Sequence, residues 1–291
     1  MKVLLLGAEG MLGREILFQL ANQGIETFAT CRGSKYLDRV DERKFNLVSF
    51  FNASNSSDVI SLLDDVSPDV VINCIGVVKQ YGSAISDEHY YFLNGSLPRI
   101  INAWCNINGK RLVHFSTDCV FTGLKGAYTL GDTPDAFDTY GLSKAIGEVS
   151  DVNSLTIRTS IVGIERESHR GLLSWFLSNP DRARLNGYEN VYYSGLTTSY
   201  LAELVIKYYL DNSRTGLIQL GGPKITKFDL LTLANDIFGR QFQIDPCAKP
   251  VNDKSFISQA AYKDIGARQP TWNELLNHLK NNSIDNDILG N

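Results

Sequence analysis

The N-terminal stretch constrains the fold most. Lys2 to Leu6 is an apolar run without alternation, the pattern of a strand buried on both faces of a parallel sheet. Gly7-Ala8-Glu9-Gly10-Met11-Leu12-Gly13 follows, and Met11, Leu12, Ile16, Leu17 and Leu20 then recur with helical periodicity. Strand, glycine-rich turn, helix is the arrangement in which backbone N–H groups at a helix N-terminus receive a pyrophosphate. The glycines are spaced GxxGxxG rather than GxGxxG. Their position between the first strand and an amphipathic helix points to a bound dinucleotide.

The same alternation continues. Glu26–Cys31, Lys44–Leu47, Asp69–Asn73, Arg111–Phe115 and Ser154–Arg158 read as strands, with helical stretches at 56–66, 86–108 and 140–149. Repeated β-α units predict a doubly wound parallel sheet of Rossmann type with right-handed crossovers. After Arg158 the pattern breaks into turns, a short aromatic helix carrying Trp175 and Phe176, and further helices. The expectation is a dinucleotide-binding domain over 1–158, with 191–220 returning to it. A smaller C-terminal substrate-binding lobe over 159–190 and 221–291 then closes over the carboxyl edge of the sheet. Trp175 and Phe176 are expected in the core of that lobe, with stacking on a base as the alternative.

At the end of the second strand an acid would bond the 2′-hydroxyl of NAD, whereas an Arg suits a 2′-phosphate. Here the turn is Cys31-Arg32-Gly33-Ser34-Lys35, with cations and no acid. NADPH is therefore the expected cofactor, and NADH is kept as the alternative. Asn46 closes the expected third strand, where an adenine amine can be read. Cys74-Ile75-Gly76 and the residues after it follow the fourth strand into the ligand crevice at the carboxyl edge.

Tyr140 and Lys144 are four apart on a helical stretch and so share one face. A phenol titrates near ~10; a nearby positive charge lowers that value and suits the group to general acid–base work. Thr117, at the end of the preceding strand, is placed to hold a substrate oxygen beside it.

Composition narrows the classes. A net charge of −4 argues against a nucleic-acid surface. The five cysteines are scattered, without a CxxC pair, and there is no HExxH; neither a disulfide framework nor a metal site is expected. The opening apolar run is too short for a signal segment or a membrane span, and a cytoplasmic protein is expected.

GAEGMLG, NCIG after the fourth strand, FSTDCVFTG after the fifth, YGLSK on the next helix and SLTIRTSIVG after it resemble the extended short-chain dehydrogenase/reductases. Within them the chain is most similar to the dTDP-4-dehydrorhamnose reductase group, which reduces nucleotide-linked 4-keto-6-deoxy sugars. The resemblance implies that Thr117, Tyr140 and Lys144 are catalytic, Tyr140 as proton donor and Lys144 on the nicotinamide ribose. It implies that Gly7, Gly10, Met11, Leu12, Gly13, Arg32, Asn46, Leu47, Cys74, Ile75 and Gly76 line the cofactor. Val78, Lys79, Asp118, Cys119, Ile161 and Arg184 fall near the substrate.

Departures from the family pattern are Cys119 for Tyr in STDYVF, Ile161 for Trp in RTSWV, and Gly195-Leu196-Thr197-Thr198 for a GSPT-like segment. They imply the same reduction on another sugar, dTDP- or UDP-linked, in deoxysugar synthesis for a surface polysaccharide. A homodimer is compatible with the sequence. Competing readings are an epimerase, which the Arg32 turn disfavours; a dehydratase, for which Asp118-Cys119 lacks the acidic pair; and a non-catalytic NADP-binding regulatory subunit.

Overall fold

The computed structural model describes residues 1–33, 40–79, 84–165, 170–211 and 214–285. It divides into two compact units. The first holds 1–120, 134–158 and 202–218; the second holds 121–133, 159–201 and 219–291.

The first unit is built on a seven-stranded sheet. Its strands are β1 (Lys2–Leu6), β2 (Glu26–Thr30), β3 (Asn46–Val48), β4 (Val70–Asn73), β5 (Arg111–Thr117), β6 (Ser154–Thr159) and the edge strand Gly216–Gln219. Their spatial order is β3-β2-β1-β4-β5-β6-edge strand. The pairings of β1 with β2 and β4, of β2 with β3 and of β4 with β5 are parallel, with Leu4 opposite both Phe28 and Val71. Strand order reverses between β1 and β4, which puts a ligand crevice outside their carboxyl ends.

Leu4, Leu6, Val71 and Leu112 of the sheet bury one apolar face against Val59 and Leu63 of α2 (Ser56–Val66) and Leu97 and Ile101 of a later helix. Helix α1 (Met11–Asn22) follows β1 and buries Ile16, Leu17 and Leu20. The stretch read as one helix over 86–108 has three parts: α3 (Asp87–Tyr90), a wider π-helical turn (Tyr91–Ser96) and α4 (Leu97–Asn108). Pro98, in the first turn of α4, supplies no N–H to the ladder. Helix α5 (Thr139–Ile146) precedes β6.

Two expectations change. Asn46 opens β3 instead of closing it, because Glu42–Lys44 forms a 3₁₀ turn capped by Asp41, and Phe45 is buried just before the strand. The part of 191–220 that belongs with the first unit is 202–218, while 121–133 belongs with the second. Long-range bonds explain the second point. Tyr128 N–H donates to the Ser255 carbonyl (2.8 Å), Asn252 donates to the Thr122 carbonyl (2.9 Å) and Gln219 to the Tyr128 carbonyl (3.0 Å). Phe121 stacks on Tyr128 at 4.0 Å.

The second unit carries two parallel strands unread in the sequence, Arg184–Tyr188 and Gln243–Cys247, in register. Its last helix, Trp272–Asn282, starts in a Thr271/Glu274 capping box.

Candidate active site

Every residue of β5 is buried, and the strand ends by delivering Thr117 into a 3₁₀ turn, Asp118–Val120. Thr117 Oγ1 donates to Asp118 Oδ1 (3.1 Å) and accepts the Cys119 N–H (3.1 Å). Helix α5 is capped by Asp138, which accepts the Gly141 N–H at 2.8 Å. Lys79 grips the same carboxylate at 2.7 Å. A Cβ on Gly141 would lie 2.4 Å from the Cys119 carbonyl oxygen. Glycine therefore lets the first turn of α5 settle on the strand end, and the Tyr140 phenol comes close enough to the Thr117 hydroxyl for that hydroxyl to favour the phenolate.

Tyr140 is half-buried. Desolvation, with Cys119, Asp118 and Asp138 nearby, pushes its phenol well above the usual value, and the Thr117 hydroxyl pulls only partly back. A phenol lowered by Lys144 was the expectation; here it is raised. Lys144 is buried and donates to the Phe115 carbonyl at 2.7 Å. Burial lowers it to about 8, against the pull of Glu148 and Cys74. Burial and the Lys144 charge also hold His114, on the same strand, well below its ordinary pKa.

The wall opposite is the loop after β4. Ile75 and Gly76 lie there, and a Cβ on Gly76 would sit 3.9 Å from Lys144 Nζ. Asn94, fully buried in the π-helical turn, pins this loop: its Oδ1 accepts Val77 N–H (2.9 Å), and its Nδ2 donates to the Val77 carbonyl (3.0 Å) and Ser143 Oγ (3.1 Å). Burial pushes the Cys74 thiol far up, which disfavours its thiolate. Below Lys144, Glu148 binds Arg158 through two 2.7 Å contacts and accepts Ser116 Oγ at 2.7 Å. Asn94 and Glu148 were missed in the sequence. The only signal for Asn94 was an Asn-Gly pair inside a helical stretch.

The dinucleotide cradle fits its group. Gly7 has φ +83°, and a Cβ there would meet Ile75 at 3.0–3.1 Å; one on Gly13 would meet the Gly7 carbonyl at 2.1 Å. Helix α1 opens at Gly10 with no side-chain cap and no acid in its first turn, which leaves the Met11, Leu12 and Gly13 amides to an anion. Arg32 is 87% exposed at its side chain and lies 4.0 Å from Glu9. Ser34 and Lys35 lie outside the described residues. Leu47 is half-buried in β3, and Asn46, at the strand start, stands back from the carboxyl edge.

Of the substrate set, Val78, Lys79, Asp118 and Cys119 lie in the first unit, and Ile161 and Arg184 in the second. Val78 is exposed and Asp118 buried. Arg184 is already ion-paired with Asp245, as Lys79 is with Asp138. Ile161 sits in a short strand paired with Leu196. Within the second unit, Trp175, Arg184, Asn186, Tyr188 and Lys227 line a cavity of about 320 Å³. Phe176 is core, edge-on to Phe242.

A Thr–Tyr–Lys set beside a glycine cradle is what the resemblance implied, and comparison with known proteins bears on the family. The model of the RmlD substrate binding domain matches residues 1–179. The chain belongs to that family. Among curated proteins, it is 32% identical over 162 residues to the probable low-salt glycan biosynthesis reductase Agl14 of Haloferax volcanii, covering 54% of this chain and 52% of that one. It is 28% identical over 167 residues to the dTDP-4-dehydrorhamnose reductase of Burkholderia thailandensis, covering 56% and 50%. In these matches the chain spans about half the length of either curated relative. The dTDP-4-dehydrorhamnose reductase of Bacillus anthracis, solved with NADP, superposes with a TM-score of 0.75 over 96% of this chain and 98% of that one; at 18% identity it shows the shared fold.

Proposed function

We propose that this RmlD-family protein reduces the C4 ketone of a nucleotide-linked 4-keto-6-deoxy hexose, dTDP- or UDP-linked, with a nicotinamide dinucleotide. The observation that carries this is a Tyr140 phenol that feels the Thr117 hydroxyl, one helical turn from a buried Lys144. The nicotinamide supplies the hydride when bound. Thr117 and Tyr140 hold the ketone oxygen, and Tyr140 protonates it as charge develops there. A phenol raised by burial stays protonated through the neutral range, which suits it to donate to a nascent alkoxide. Lys144, charged below about 8, stabilises the phenolate left behind.

Names of relatives support the substrate class: two of those above are dTDP-4-dehydrorhamnose reductases. NADP in the Bacillus anthracis structure supports the dinucleotide, and Arg32 alone would favour the phosphorylated form. Cys119 and Ile161, which replace aromatic residues of the family pattern, support a sugar other than the rhamnose precursor.

The test is Tyr140→Phe. Turnover is expected to fall by about 10²–10⁴-fold, the usual worth of a positioned acid, while the cofactor dissociation constant stays within about twofold of wild type. Turnover near wild type removes Tyr140 as the acid.

A further inference from the structure

We propose that Glu9 reads the adenosine ribose of the dinucleotide and weighs against a 2′-phosphate, so that this protein takes NADH at least as well as NADPH. The inference rests on the dinucleotide reading above. In sheets of this kind the ribose-reading acid stands at the end of the second strand, and Cys31-Arg32-Gly33 has none. The fold brings one from another element. Glu9, between Gly7 and Gly10 of the glycine turn, reaches to the end of β2, where Oε2 accepts the Arg32 N–H (2.8 Å) and Oε1 the Gly33 N–H (3.0 Å).

The two turns are further laced together. Gly7 N–H donates to Thr30 Oγ1 and Ala8 N–H to the Thr30 carbonyl, both at 3.0 Å. The carboxylate is therefore held at a fixed place, only 14% exposed at its side chain.

Three consequences follow for a ligand. The paired amides at the β2 end would make a concavity for an anion, but a carboxylate fills it. A 2′-phosphate arriving there meets that negative charge, whereas a 2′-hydroxyl finds an acceptor. Arg32, the one described cation of the turn, lies 4.0 Å from the same carboxylate, so its charge is shared with Glu9. The Cys31 thiol, raised by burial and then by Glu9, registers that negative charge at the strand end.

The test is direct binding, with no sugar present. Dissociation constants for NADH and NADPH are measured by nicotinamide fluorescence on wild type, Glu9→Gln, Glu9→Ser and Arg32→Gln. Wild type is expected to bind NADH at least as tightly as NADPH. Both Glu9 variants should shift the preference toward NADPH by about tenfold or more, the order expected for relief of a like-charge contact, and Arg32→Gln should shift it the other way. A preference that moves less than about twofold in both Glu9 variants, equal weakening of both cofactors, or tighter NADPH binding in wild type overturns the proposal and leaves the dinucleotide reading intact. Binding of neither cofactor to wild type overturns both.

Discussion

Lys144 is the residue whose environment most directly sets a measurable property. A lysine ammonium in water titrates near ~10.4, and burial brings this one to about 8. Lowering means the charged form is the penalised one, so Lys144 is charged below about 8 and neutral above. If the charge supports the phenolate of Tyr140, kcat/KM is level below that value and falls as pH rises through it. A profile that stays level up to about pH 10, the range of an ordinary lysine, contradicts this role. The Tyr140/Lys144 spacing was legible because two residues four apart on a helix share a face whatever surrounds them. The direction of the Tyr140 shift was not legible: it depends on burial and on Cys119, Asp118 and Asp138, which only the folded chain gathers. Glu9 was hidden for the same reason. Its partners lie 23 and 24 residues away, on another turn.

The elements that carry the site are held by a few polar ties. Glu148 ends the chain segment after α5 and binds Arg158 of β6 and Ser116 of β5. Arg158 is 3% exposed at its side chain and Glu148 11%. Removing one partner of such a pair strands the other charge, at a cost of about 3–5 kcal/mol. Glu148→Ala is therefore expected to lose stability of that order in urea unfolding, and a loss under about 1 kcal/mol, the worth of a surface pair, contradicts a buried tie. Continuous apolar strands such as β1 and β5 were plain in the sequence because burial on both faces leaves no alternation. The break at Asn94 was not, since the side chain leaves the helix to bond Val77 and Ser143, contacts 17 and 49 residues away. The strand Arg184–Tyr188 hid behind a buried Gly187 and polar alternate positions.

For the molecule as a whole, the alternation of strands and helices foretold the parallel sheet, because right-handed crossovers leave few other topologies. The split of the chain was foretold less well. Segment 121–133 follows β5 in sequence, yet its backbone bonds run to residues more than 100 positions on. Among the described residues no helix is long and apolar enough to cross a membrane, and no group of His, Cys, Asp and Glu is arranged to hold a metal.

The measurement that tests the proposed reduction most directly is the oxidation of NADH and NADPH, followed by nicotinamide absorbance, with dTDP- and UDP-linked 4-keto-6-deoxy hexoses. The account predicts loss of absorbance that requires one of these sugars and yields the corresponding C4 alcohol. Tight cofactor binding with no turnover on any of them would contradict it.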